Sequence, residues 1–187
     1  MTERILAYVF LAFFFLMDFL IRKDKIAKSI DKKRDDNNST LLILLIIFVV
    51  LILSGILNSF NVGTFNNTSI AIIGLTIMII GILIRIHSML TLSKFYTRTL
   101  ITVDKQEIIK RGLYKIIRHP GYLGTILIWS AAGLAMQNII VFVVTTLLIL
   151  IAYYYRINNE ERMLVQNFGD TYTEYKNQSW RLIPFIW

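Results

Sequence analysis

Apolar residues fall into five long runs, at 5–21, 41–57, 69–92, 122–136 and 139–155. A helix needs about 20 mostly apolar residues to cross the hydrocarbon of a bilayer, and these runs meet or approach that length. The second includes thirteen consecutive aliphatic or aromatic residues from Leu41 to Leu53. Only Thr145 and Thr146 interrupt the fifth. The fourth is short, and Gln137-Asn138 alone separates it from the fifth, which predicts a tight helical hairpin. Beyond Tyr155 the pattern changes. Leu164, Phe168, Tyr172 and Tyr175 recur at the spacing of one helix face among charged residues, and Gly169 predicts a break into two pieces. Such a segment suits an amphipathic helix lying on the membrane surface.

The first run starts with Glu3 and Arg4, is followed by no small-residue cleavage pattern, and ends against Arg22, Lys23 and Lys25. That reads as a retained helix with a stop-transfer flank rather than a signal peptide. Charge then orients the bundle. Segments 22–40 and 93–121 each hold seven Lys or Arg, whereas 58–68 holds none. Positive residues mark the cytoplasmic side, so the N-terminus is expected outside and the C-terminus inside. The expected fold is therefore all-α: a polytopic membrane helical bundle of about five transmembrane helices, with a short fourth–fifth hairpin and an amphipathic C-terminal cytoplasmic segment. A single domain is expected, with three N-terminal membrane helices in 1–92 and the functional part in 93–187.

Composition agrees. The 187 residues are 56% hydrophobic and only 17% charged, with a mean hydropathy of +0.60, well outside the range of soluble domains. The net charge of +8 is explained by orientation and attraction to anionic headgroups, so nucleic acid is not an expected partner. There are no cysteines and two histidines, which removes disulfides, thiolate nucleophiles and Cys-ligated metal, and no metal site is expected. No glycine-rich nucleotide fingerprint or P-loop is present, and no serine carries a nucleophile-elbow pattern.

Polar residues with chemical potential gather in two places. In Arg118-His119-Pro120-Gly121-Tyr122-x-Gly124, Pro120 suits the first turn of the fourth helix, and the glycines open backbone access at a helix N-terminus, where an anionic group can bind. The plainer alternative makes Arg118 and His119 headgroup-level flanking residues. The second cluster is Arg156, Glu160 and Glu161. Arg156 and Glu160 are four apart and share a helix face, and an ordinary i,i+4 ion pair would explain them equally. Asp18 and Arg85 lie inside predicted membrane helices with His87 nearby. An intramembrane charge marks a candidate functional site, but both lie near the helix end where Arg can snorkel, so a contact between them and a structural role are open alternatives to a functional one. Gly74 and Gly81, seven apart, suit helix-packing notches.

Taken together, Gly112-x-Tyr114, Arg118-His119-Pro120-x-Tyr122-x-Gly124, Glu160-Glu161, Phe168-Gly169-x-x-Tyr172-x-x-Tyr175 and the closing Leu182-Ile183-Pro184 resemble the isoprenylcysteine carboxyl methyltransferase family. The resemblance covers about 103–184. It implies an integral membrane enzyme that uses S-adenosylmethionine to methylate a carboxylate on a lipophilic substrate. Carried over by position, it implies cofactor contacts from Gln106, Glu107, Ile108 and Ile109, mainly through backbone. Tyr114 and the run His119, Pro120, Gly121 and Tyr122 would line the same site, with Glu160 as a cofactor ligand and Arg156 facing the substrate carboxylate. A Gln that some relatives carry near 99–101 is missing here.

Elementary chemistry fits such a reaction. A carboxylate with a pKa near 4 is already ionised and needs no general base, so the protein's task is alignment and exclusion of water. Three rival readings remain: a phospholipid or lipid-amine methyltransferase, a membrane reductase using NADPH, and a non-catalytic membrane bundle.

Overall fold

A computed structural model describes residues 2–20, 38–92 and 107–186. Six α-helices order the described chain: α1 (Thr2–Leu20), α2 (Ser39–Ser59), α3 (Thr68–Leu92), α4 (Pro120–Ala135), α5 (Ile139–Phe168) and α6 (Asp170–Asn177). A 3-10 turn at Gly112–Lys115 precedes α4. α2, α3 and α5 are each long and apolar enough to cross a membrane, and α4 is a shorter apolar helix. α1 has 19 residues, apolar between Glu3-Arg4 and Asp18. The molecule is an all-α membrane helical bundle, with large side chains such as Phe13, Leu45, Phe48, Leu83 and Ile151 turned outward where lipid would lie.

α4 is the central helix, packed on α1, α3 and α5, and its composition explains why. Gly121, Gly124, Ala131, Ala132, Gly133 and Ala135 are all buried, so neighbouring backbones approach closely. A Cβ placed on Gly81 of α3 would lie 2.7 Å from the Gly124 carbonyl oxygen, and one on Gly124 would lie 2.6 Å from that of Gly81. Gly74 meets α4 at its other end, where a Cβ would lie 2.5 Å from the Ala135 nitrogen. Gly74 and Gly81 are thus the packing notches expected from their spacing.

The turn between α4 and α5 is as tight as its two polar residues predict. Gln137 adopts a positive φ of 55°, and Asn138 caps α5 by accepting the Val141 amide at 3.1 Å, worth about 1 kcal/mol. The Asn138 amide also donates to Asn58 Oδ1 and the Val62 carbonyl, each at 3.0 Å. Gln137 Oε1 accepts the Asn67 amide at 2.9 Å. Two polar side chains thereby tie the α4–α5 turn to the α2–α3 connection.

The C-terminal part departs from expectation in two respects. α5 does not stop at Tyr155 but continues to Phe168, 30 residues in all and about 45 Å long. The break falls at Gly169, with φ 53°, and α6 follows. The aromatic face that suggested a helix lying on lipid is turned onto the protein instead: Tyr172 and Tyr175 are buried. The tail then runs back beside the chain entering α4, with Arg118 N donating to the Trp180 carbonyl at 2.7 Å and His119 N to that of Arg181 at 3.1 Å.

Candidate functional site

One cavity of about 190 Å³ lies where the start of α4, the polar end of α5 and α6 meet α1, α2 and α3. Glu107, Ile108, Ile109, Tyr114, His119, Gly121, Tyr122, Arg156 and Glu160 all line it. Pro120 is buried at the first position of α4 and shapes that turn without facing the cavity. Gln106 lies outside the described residues. Phe14, Phe15, Ile43, Leu44 and Ile47 add an apolar wall from α1 and α2.

Arg156 is 3% exposed. Its Nη1 donates to Ser39 Oγ and Thr40 Oγ1, both at 2.8 Å, and its Nε donates to the Tyr122 hydroxyl at 3.2 Å. Hydroxyls from the first turn of α2 and the first turn of α4 thus aim a guanidinium from α5 into the cavity. Tyr122 stacks on His119 (5.4 Å between centroids, 6° between planes) and tilts against Tyr153 (5.0 Å).

His119 sits between two glutamates. Its Nε2 is 3.4 Å from Glu161 Oε1, and its Nδ1 is 3.5 Å from Glu160 Oε2. Successive helical residues are rotated by about 100°, and these two carboxylates have different surroundings. Glu161, 3% exposed, is caged by cations: Arg118 Nε at 2.8 Å, Arg181 Nη2 at 2.9 Å and Lys176 Nζ at 3.8 Å. Burial by itself would raise its pKa, but hydrogen bonds and charge from His119 and Arg118 outweigh that and hold it at about 2. Arg118 also donates to the Lys176 carbonyl at 3.0 Å and to the Ser179 carbonyl. Burial pushes the Tyr175 phenol up to about 12, so it stays a donor, and it gives its hydrogen bond to the Tyr114 carbonyl at 2.6 Å.

Glu160 faces the cavity. Its Oε2 is buried and accepts no hydrogen bond among the described residues, and the Tyr172 hydroxyl, also on the cavity wall, is likewise without a hydrogen-bond partner among them. Burial raises the Tyr172 pKa well above its usual value. A carboxylate oxygen whose nearest cationic group is His119 Nδ1 at 3.5 Å and a phenol without a hydrogen-bond partner, both buried, are expensive unless a ligand completes their hydrogen bonding. The chemistry they complement is a polar molecule carrying N–H or O–H donors and an acceptor. An ammonium and ribose hydroxyls meet that description, so the residues present fit S-adenosylmethionine.

Asp18 and Arg85 are in contact, 3.0 Å apart and buried. Arg85 Nη1 also donates to the Gly121 carbonyl at 3.2 Å. His87 is turned outward, with Nε2 beside Gly112, whose φ is 58°. Sequence reasoning named Glu161 in the second cluster without giving it a role of its own, and did not single out Arg181. The available signal was the doubled glutamate, since neighbours on a helix cannot face the same way, together with basic residues in a tail that has to fold back.

Comparison with known proteins follows the same residues. A protein-S-isoprenylcysteine O-methyltransferase of Dictyostelium discoideum is 30% identical over 118 residues, covering 61% of this chain and 49% of that protein. A methanethiol S-methyltransferase of Bradyrhizobium diazoefficiens is 40% identical over 73 residues, covering 39% of this chain and 25% of that one. The solved eukaryotic intramembrane Ras methyltransferase, an isoprenylcysteine carboxyl methyltransferase, superposes with a TM-score of 0.64 at 23% identity, over 76% of this chain and 52% of that one. The fold is therefore shared, while the chain spans about half the length of the first relative and of this structure. The family pattern itself matches residues 72–166, the stretch that includes α4, most of α5, His119, Tyr122, Arg156 and Glu160, and on that match the chain belongs to the isoprenylcysteine carboxyl methyltransferase family.

Proposed function

We propose that this protein is an S-adenosylmethionine-dependent carboxyl O-methyltransferase whose acceptor is a lipophilic carboxylate delivered from the bilayer. One observation carries the reading. Arg156 and Glu160, a single turn apart on α5, open into the same cavity, one held by hydroxyls at the start of α2 and the other beside His119 at the start of α4. Family membership supports the methyl-transfer chemistry.

The division of labour follows from charge and solvent. Glu160 and the Tyr172 hydroxyl would hold the donor-bearing parts of the cofactor, with Glu107, Ile108, Ile109, Tyr114 and the His119–Tyr122 turn forming its wall. When bound, S-adenosylmethionine supplies an electrophilic methyl group. Arg156 would orient the acceptor carboxylate through its guanidinium charge, with its own aim fixed by Ser39, Thr40 and Tyr122. No side chain has to remove a proton, because the acceptor is already anionic. Leaving one acceptor oxygen without a hydrogen bond would preserve its nucleophilicity. The apolar wall would exclude water that solvates the carboxylate. The excess of Lys and Arg in segments 22–40 and 93–121 supports a cytoplasmic cavity with the N-terminus outside.

The test begins with calorimetric binding of S-adenosylmethionine, S-adenosylhomocysteine and NADPH to the detergent-purified chain. Binding of the first two, lost in Glu160→Ala with the fold retained, is expected. Binding of NADPH alone would overturn the reading in favour of a reductase. A folded protein that binds none of the three would be a non-catalytic bundle. Labelled methyl donor with lipid carboxylates, lipid amines and small thiols then identifies the acceptor. Thiols belong in that panel because one relative is named for methanethiol.

A further inference from the structure

The C-terminal segment carries an apolar surface that the reaction does not use. Leu182 is 4% exposed and packs into the core, which roots the segment. Around it Trp180, Ile183, Phe185 and Ile186 point outward, the last two at 87% and 76% exposure. Trp180 and Phe185 hold each other, ring centroids 5.5 Å apart. Ile116, 52% exposed, lies next to them, because the Trp180 amide donates to its carbonyl at 2.9 Å.

Three observations say what covers this surface. The first is its level. Trp180 pairs with Ile117, three residues before Pro120 opens α4, so the patch sits where the chain enters the bilayer. The second is its composition. Tyr154 and Tyr155, both exposed, mark where the apolar part of α5 ends, and Trp180 and Phe185 extend the same aromatic belt, the distribution found at membrane–water boundaries. The third is charge. Lys110, Arg111 and Lys115 are exposed on the chain entering α4, which complements anionic headgroups.

We infer that Trp180, Ile183, Phe185 and Ile186 insert into the headgroup–acyl boundary of the membrane that the helices span, mooring the C-terminal segment to the lipid surface. The same segment holds the cavity's polar side, through the Trp180 and Arg181 carbonyls and through the Arg181 guanidinium on Glu161. The lipid surface thereby becomes part of the support of the site. This inference is independent of the methyl-transfer reading.

The absence of cysteine makes the test direct. Single variants Phe185→Cys and Ile186→Cys carry a spin label, and the protein is reconstituted in phosphatidylcholine vesicles containing phosphatidylglycerol. Leu150→Cys, on the exposed side of α5, serves as the lipid reference. Gln166→Cys, exposed on the same helix and about 16 Å beyond Tyr155, serves as the water reference. Labels at 185 and 186 are expected to be severalfold less accessible to a water-soluble nickel chelate than the label at 166. They should also be more accessible to oxygen. Both labels matching 166 would overturn the inference. So would spin–spin broadening between copies at 185, which would show a second chain covering the patch. Phe185→Cys and Ile186→Cys alter exposed side chains only, and an unchanged thermal transition checks that each variant is folded.

Discussion

Replacing Glu161 by Gln tests the charge cage at the base of the site. The substitution keeps the shape and removes the negative charge that faces Arg118, His119, Lys176 and Arg181. The carboxyl is held at about 2 in the folded protein against 4.5 for the ordinary group, and that difference corresponds to about 3 kcal/mol of stability at neutral pH. Stranding several cations around a buried position points to a similar figure, roughly 3–5 kcal/mol. For a chain of this size, Glu161→Gln should melt about 6–12 °C below the parent protein at pH 7. The pH dependence follows from the sign of the shift. Because the folded value is the lower one, the contribution is complete above the unfolded pKa and is lost as pH falls towards the folded one. Most of the contribution is lost by pH 3, so the gap between the two proteins should shrink to less than half. Intrinsic-fluorescence melts of both proteins in one detergent, from pH 7 to pH 3, read this directly. A gap that stays constant or widens as pH falls would refute the charge argument and leave Glu161 as packing.

Two further outcomes follow from the geometry. Arg156→Lys keeps the charge but loses the planar fork, so single-turnover methyl transfer should fall by roughly 100-fold with donor affinity unchanged by calorimetry; an equal loss of donor affinity would contradict the separation of roles along α5. Gly81→Leu drives a side chain into the Gly124 carbonyl and Ile128 and should cost about 1–3 kcal/mol or more, seen as a lower melting temperature; an unchanged one would mean that α3 and α4 are less closely packed than described.

The features legible in the sequence are those set by local pattern. Apolar length gave the helices, Gly74 and Gly81 gave the α3–α4 seam, and Gln137-Asn138 gave the hairpin. Asp18 and Arg85, two charges in apolar helices, were legible as a possible contact, and the structure makes them a buried pair. The length of α5 was hidden because hydropathy ends at Tyr155 while helical hydrogen bonding does not. Arg156 and the run Glu160–Leu164 are good helix formers, and the helix simply changes solvent. The aromatic face of 164–175 was misassigned to lipid for a related reason. Periodicity shows that a face is apolar, but only the turn at Gly169 and the fold-back of the tail decide that protein covers it.

The site was legible as a set of residues but not as an arrangement, and the doubled glutamate shows why. Glu160 and Glu161 look equivalent in sequence and offer the same chemistry. Their roles diverge because Arg118 and Arg181 arrive from opposite ends of the functional half, one just before α4 and one after α6, and both converge on Glu161. Local spacing cannot encode that convergence. Its consequence reaches the cavity: with the nearby guanidiniums engaged by Glu161, Glu160 Oε2 is left for a ligand's donors. Glu161 does not line the cavity, yet removing its charge gives Arg118 reason to turn towards Glu160 across His119. Glu161→Gln should therefore weaken donor binding as well as lower the melting temperature. A variant that lost stability while binding the donor at full strength would separate the two glutamates entirely, and the cage would then be scaffolding alone.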